Sequence, residues 1–125
     1  MNVKSDTKEK FHVITIQEKY LAANMTAELE QLLASYLQKD VKNVILNCKD
    51  IETIDDAAAE TLVNSQQQFY EANQSFVICH LPANTESHLD DLGLLEIMNI
   101  TPTESEAWDI VQMEEIEREL LNGED

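Results

Sequence analysis

One apolar run and the acidic helix start that follows it constrain the fold of this chain most. Residues 44–48 read VILNC, a short and nearly continuous apolar run of the kind found in a parallel strand covered on both faces. After a short polar link, Asp55 and Asp56 precede a segment whose apolar residues recur at helical spacing as far as Glu71. Free backbone N–H groups and the helix dipole favour negative charge at such a helix start. The pattern predicts a strand that leads into a helix, with two carboxylates at the junction.

The rest of the chain alternates between strand-like and helix-like segments. Strands are predicted at Phe11–Ile16, Phe76–Cys79 and 96–99. Helices are predicted from an Asn24 N-cap to about Gln38, from Asn84 to a stop before Gly93, and from a capping box at Thr103 and Glu106 onward. Such alternation favours an open α/β sheet, and 125 residues suit one domain. We expect a single domain over 1–125, with a flexible N-terminus at 1–9 and an acidic C-terminal helix at 103–125.

The charge balance narrows the classes of partner. The chain has 8 Lys and Arg against 25 Asp and Glu, a formal net charge of −17. Binding to nucleic acid or to an anionic membrane surface depends on basic side chains, so both are disfavoured, and a basic protein surface suits this chain better. Residues 1–6 lack the apolar core of a signal peptide, and no apolar run approaches the ~20 residues of a membrane helix. We expect a cytoplasmic location and no insertion into a membrane.

Residues suited to catalysis or metal binding do not cluster in the sequence. No serine has the glycine-flanked turn of an activated nucleophile, and with two glycines there is no loop to cradle a phosphate. The histidines lie far apart, at His12, His80 and His88. Cys48 and Cys79 lie in strand-like segments, which predicts buried free thiols and no zinc site. We therefore expect no enzymatic activity, no metal and no cofactor.

The junction resembles the core motif of the STAS family, the domain of bacterial anti-sigma factor antagonists. In that motif a strand and loop lead to an Asp, a phosphorylatable Ser or Thr, a small residue or Gly, and a helix. In this chain Asp55 matches the family's Asp, Asp56 the phosphoacceptor, Ala57 a second Ser and Ala58 the Gly. The resemblance implies that Asp56 replaces the phosphoacceptor hydroxyl. A partner-switching surface would then remain without phosphorylation at the usual site.

The resemblance covers about a hundred residues in order, from the segment around 21–29 to the start of the last helix at 103–108. It implies a small mixed sheet with about four helices packed mainly on one face. Besides the missing hydroxyl, the chain departs from the pattern at Ala58 and at Glu18 and Lys19, where members often carry Gly. These departures bear on phosphorylation more than on the fold.

Three interpretations of Asp55 and Asp56 stay open from the sequence. They can cap the helix, each accepting a backbone N–H bond worth about 1 kcal/mol. Asp56 can hold negative charge in place of a phosphoryl group, although a carboxylate has one charge and two oxygens where a phosphate has about −1.5 to −2 and three. The pair can also bind Mg²⁺ as in a metal-dependent phosphoreceiver, but residues 80–82 read HLP and supply no Lys-Pro after the strand.

By resemblance we expect a non-enzymatic protein interaction module that binds an anti-sigma factor kinase of the GHKL type or another regulator. The partner-binding surface is predicted at the junction, with Asp55, Asp56 and Ala57 at its centre and Thr53, Glu60, Thr61 and Asn64 as its rim. The alternative functions are a soluble STAS subunit of a membrane lipid transporter, which docks on the transporter ATPase, and the metal-dependent phosphoreceiver. A homodimer is compatible with each of them.

Overall fold

The computed structural model describes residues 1–122, which form a central five-stranded sheet. Its strands, in spatial order, are β1 (Val3–Thr7), β2 (Phe11–Ile16), β4 (Asn43–Asn47), β6 (Phe76–Cys79) and β7 (Ile100–Thr101). The pair β1 and β2 is antiparallel, whereas the other neighbours are parallel, so the sheet is mixed. Two further strands, β3 (Tyr20–Leu21) and β5 (Thr53–Ile54), pair in parallel outside this sheet.

The helices lie on both faces of the sheet, three on one face and one on the other. They are α1 (Thr26–Tyr36), α2 (Asp56–Glu71), α3 (Ala83–Asp91) and α4 (Glu104–Asn122), with 3-10 turns at Ala23–Met25 and Leu95–Ile97. The larger core joins the first three helices to the sheet and contains fully buried Leu33, Leu62 and Leu89. The smaller core packs Ala107 and Val111 of α4 on the opposite face. The expected α/β class, with helices mainly on one face, is confirmed.

The N-terminal segment differs from the expectation of a flexible stretch at 1–9. The structure has a five-residue strand there, although four of its five residues are exposed. Its stability comes from the backbone ladder to β2 and from the Tyr36 hydroxyl, which donates to Ser5 Oγ at 2.9 Å. An edge strand can form this ladder without an apolar face of its own. The polar sequence of β1 therefore lacks the apolar pattern from which the other strands are predicted.

Two predicted boundaries are also wrong. Residues 95–97 form a 3-10 turn where the sequence predicts a strand at 96–99. The strand that pairs with β6 is Ile100–Thr101, although the Asn99 carbonyl already accepts the Ile78 N–H at 2.9 Å. The first helix begins at Thr26 behind a 3-10 turn, so Asn24 is not its N-cap. By contrast, the Thr103 cap is confirmed, since Thr103 Oγ1 accepts the Glu106 N–H at 3.2 Å. Within residues 1–122, no helix is both long enough and apolar enough to span a membrane.

Candidate functional site

The junction between β5 and α2 is built on the small parallel pair of β3 and β5. Tyr20 pairs with Thr53 and Leu21 with Ile54, and the Asp55 N–H donates to the Leu21 carbonyl at 2.9 Å. Ile54 and Leu21 are buried, which fixes the pair to the core below it. Asp55 has extended backbone angles and is the N-cap residue of α2 by position. The chain therefore enters the helix from a fixed strand.

The Asp55 carboxylate does not cap its own helix. Its Oδ2 accepts the Ala23 N–H at 2.9 Å, and no side-chain bond is made to the first turn of α2. Ala23 opens the 3-10 turn that leads into α1, so this carboxylate satisfies a free N–H at the start of a different helical segment. Asp55 therefore accepts a backbone N–H at the start of a helical segment, as the cap interpretation predicts, but this segment precedes α1 and is not α2. The two residues lie 32 positions apart, and no local pattern in the sequence links them.

Asp56, the first residue of α2, pairs with a histidine from α3. Its Oδ1 lies 2.8 Å from Nε2 of His88, and the side chains are 65% and 46% exposed. An exposed pair of this kind contributes little to stability, because water screens it. The Asp56 carboxylate thus stays on the surface, with one of its oxygens paired to His88. The sequence does not indicate this contact, because His88 lies 32 positions from Asp56.

The predicted partner-binding residues lie together on one exposed surface, which we call the junction surface. Thr61 is half-buried, and its hydroxyl donates to the Ala57 carbonyl one turn earlier at 3.0 Å. Ala58 is fully buried and packs in the core, whereas Ala57 is exposed. The exposed members are Thr53, Asp55, Asp56, Ala57, Glu60 and Asn64.

A shallow cavity of about 290 Å³ borders the junction surface on the α3 side. Its wall is fixed, because Asn84 Nδ2 and Thr85 Oγ1 both donate to the Glu52 carbonyl, at 3.1 and 3.0 Å. Asn84 thus anchors α3 to the loop before β5, whereas the sequence predicts it as a helix cap and Pro82 takes that position. The residues that line the cavity are Thr53, Ile54, Asn84, Thr85 and His88.

The histidine and cysteine side chains outside the junction are hydrogen-bonded within the fold or buried. His12 bonds to Thr7 and to the Val41 carbonyl, and His80 Nε2 accepts the Glu104 N–H at 3.2 Å. Cys48 and Cys79 are buried free thiols, as predicted. Burial raises the pKa of both, that of Cys79 to about 12, which keeps them as unreactive thiols at neutral pH. Within residues 1–122, no three of His, Cys, Asp and Glu come together as metal ligands.

The two junction carboxylates should differ in their effect on stability. We expect Asp55→Ala to lower the free energy of unfolding by about 1 kcal/mol, because the Ala23 N–H loses its acceptor. Asp56→Ala, which removes the exposed contact with His88 and a favourable first-turn charge, should change it by about 0.5 kcal/mol. Urea denaturation of the two variants and the wild type measures the difference. Equal losses in the two variants would contradict the separate roles.

Comparisons with known proteins agree with this architecture. A solved structure of a candidate anti-sigma factor antagonist from Thermotoga maritima is 20% identical, with a TM-score of 0.75 over 88% of this chain and 94% of that chain. A serine-to-glutamate variant of RsbS from Moorella thermoacetica is 16% identical, with a TM-score of 0.73 over 90% and 96%. Murine Slc26a9, an anion transporter, is 12% identical, with a TM-score of 0.69 over 83% of this chain and 18% of that chain.

At these identities the solved structures establish the shared fold. No curated protein sequence matches the chain. The family model of the STAS domain matches residues 2–107, which include the whole sheet, the junction and the start of α4. The chain therefore belongs to the STAS domain family.

Proposed function

We propose that this chain is a non-enzymatic regulatory module that binds a protein partner through the junction surface. The observation that carries the proposal is the group of exposed polar and acidic residues on a fixed scaffold. Asp55 ties the start of α2 to Ala23, and Asn84 and Thr85 hold α3 beside β5. The surface is therefore preorganised, so binding need not order it first. The fold shared with anti-sigma factor antagonists supports a role of this class.

Asp56 stands, in this proposal, where the family carries its phosphoacceptor hydroxyl. A carboxylate offers no hydroxyl for a protein kinase to esterify, so the module is not phosphorylated at this position. Asp56 provides a constant negative charge on the exposed first turn of α2, held at 2.8 Å from His88. One carboxylate gives fewer oxygens and less charge than a phosphate. The module therefore has one binding state here, set by Asp56, and any control over it acts elsewhere.

The partner's chemistry follows from the charge of the surface. Asp55, Asp56 and Glu60 are exposed together, and the chain carries −17 overall. A basic protein surface complements this field and is drawn to it. The leading partner is an anti-sigma factor kinase or a related regulator. The alternative is a soluble subunit of a membrane lipid transporter, which docks on the transporter ATPase. Support for a transporter-linked role is limited to the fold that this chain shares with part of the anion transporter Slc26a9.

Charge reversal on the junction surface should weaken partner binding. Asp56→Lys keeps the Asp55 bond to Ala23, so the scaffold should persist while the central charge changes sign. We expect its affinity for the partner to fall at least about tenfold, or ~1.4 kcal/mol, as for a central interface residue. The measurement is capture from native cytoplasm with mass spectrometry, followed by titration of the purified regulator or ATPase.

Glu71→Lys is the matched control, since Glu71 is exposed at the far end of the same helix and the change in charge is identical. Loss of a kinase-like regulator with Asp56→Lys and its retention with Glu71→Lys would support the leading function. The same pattern for a transporter ATPase would favour the alternative. A partner that binds all three forms equally would place the binding surface outside the junction.

A further inference from the structure

Strand β1 forms a long edge of the main sheet, and its outer side has no neighbour within the residues that the structure describes. Val3–Thr7 pairs on one side with β2, and four of its five residues are exposed. An edge strand of this length offers a row of backbone donors and acceptors to another strand. The opposite edge, β7, has only two residues and is followed by Pro102, so it offers much less.

The backbone groups that point outward along β1 can be identified from its bonds to β2. The Gln17 N–H donates to the Asn2 carbonyl and the Lys8 N–H donates to the Phe11 carbonyl, both at 2.8 Å. In an antiparallel pair, the N–H and C=O of alternate residues point to the same side. Even-numbered residues of this segment therefore bond to β2. The N–H and C=O groups of the odd-numbered residues, Val3, Ser5 and Thr7, point outward.

The side chains of β1 carry two exposed charges of opposite sign. Lys4 lies opposite Thr15 and Asp6 opposite Val13, and Val13 packs in the core on the α4 side. Lys4 and Asp6 therefore share the α4 face of the sheet, on either side of Ser5. Ser5 lies on the other face, where it bonds to Tyr36. The strand thus presents a Lys and an Asp placed symmetrically about its central residue.

We propose that β1 pairs with β1 of a second copy of this chain, antiparallel and centred on Ser5. This arrangement pairs all five residues. Ser5 faces Ser5 of the second copy and Val3 faces Thr7, and each of these pairs exchanges two backbone bonds through its outward groups. Lys4 of each copy then faces Asp6 of the other at the non-hydrogen-bonded positions, where facing Cβ atoms come about 4.5 to 5.5 Å apart.

Charge complementarity at β1 favours a second copy as the occupant. Each copy carries −17, so two copies repel one another over a distance, and salt screens that repulsion. At β1 itself the facing charges are opposite in sign, so the local contact is attractive. A weak dimer that forms at high protein concentration and moderate salt is the expected result. The interface uses none of the junction residues, so it is independent of the partner proposed above.

Sedimentation at increasing protein concentration tests the dimer. The mass should rise from 14.2 kDa toward twice that value. Hydrogen exchange followed by NMR tests the register in the same samples. Exchange of the Val3, Ser5 and Thr7 amides should slow in the concentrated sample, whereas the Lys4 and Asp6 amides, already bonded to β2, should change little.

Charge reversal tests the contact between Lys4 and Asp6. Lys4→Glu and Asp6→Lys should each remain monomeric, because each places like charges opposite one another across the pair. An equal mixture of the two variants should dimerise, since every facing pair is then of opposite charge. Lys49→Glu is the matched control: Lys49 is exposed away from β1, and this variant should dimerise as the wild type does.

Three results would overturn the proposal. The first is a wild type that stays monomeric at every concentration. The second is a dimer that survives both single reversals unchanged. The third is a dimer whose formation leaves exchange at Val3, Ser5 and Thr7 unaltered, because its interface then lies elsewhere.

Discussion

Replacing Phe69 with Ala should lower the free energy of unfolding by about 3–5 kcal/mol. Phe69 is fully buried on α2, and its ring centroid lies 5.2 Å from that of Phe76 on β6. This contact joins the helix that carries the junction surface to strand β6 of the sheet. Truncation removes the contact between the two rings and leaves a cavity. Because the surrounding core is close-packed, it relaxes only partly into that cavity. A domain of ordinary stability, about 5–15 kcal/mol, would lose a large share of it.

Urea denaturation measures this loss, with Gln67→Ala as its control. Gln67 lies on the exposed side of the same helix, so its truncation should change stability by less than about 0.5 kcal/mol. The capture of a partner at low temperature adds a functional test, since the folded fraction of Phe69→Ala still presents the junction surface. A loss below about 1 kcal/mol would mean that α2 does not depend on this contact for its position.

The sequence predicted those parts of the fold that local pattern determines. The predicted bounds of Phe11–Ile16 and Phe76–Cys79 agree with the structure to the residue. A run of apolar residues between polar residues is sufficient to predict a buried strand. The helix predicted from about Asp56 or Ala57 to Glu71 also agrees, since its buried Leu62 and Phe69 recur at helical spacing. The predicted junction residues come together because they are close in the sequence. They lie on β5 and on the first turns of α2.

What the sequence could not predict depends on contacts between distant residues. The partners of Asp55 and Asp56, Ala23 and His88, lie 32 positions away in opposite directions along the chain. Each contact exists because two elements meet in space, and neither residue type indicates it. Strand β1 was missed because its pairing uses backbone groups, which every sequence supplies.

The acidic C-terminal helix gives the second large expected effect. Within 103–125, Arg118 is the single basic residue. Its Nη2 donates to Glu115 Oε2 at 2.9 Å, to Ser75 Oγ at 3.1 Å and to Asn43 Oδ1 at 3.2 Å. It thereby fixes α4 to the ends of β4 and β6. We expect Arg118→Met, which keeps the apolar stem and removes the donors, to lower the free energy of unfolding by about 1–3 kcal/mol.

The pH dependence of that loss distinguishes the charge of Arg118 from its packing. Burial raises the pKa of Glu115, but hydrogen bonds from Asn43 and Arg118, with the charges of Arg118 and Lys10, outweigh it and hold the pKa below its usual 4.5. A carboxylate with a lowered folded pKa stabilises the fold fully above its unfolded pKa and loses that contribution as the pH falls through the folded value.

Without Arg118 the folded pKa of Glu115 should return toward its usual value, so the variant has less stability to lose on acidification. The deficit of Arg118→Met relative to the wild type should therefore be largest near neutral pH. It should shrink as the pH falls from 4.5 through the lowered folded pKa of Glu115. Urea denaturation at both pH values measures it. Glu115→Gln is the control, because it removes the titrating group. When both proteins carry Glu115→Gln, the deficit caused by Arg118→Met should no longer shrink as the pH falls. A deficit of equal size at both pH values would mean that Arg118 holds α4 by packing and neutral bonds alone.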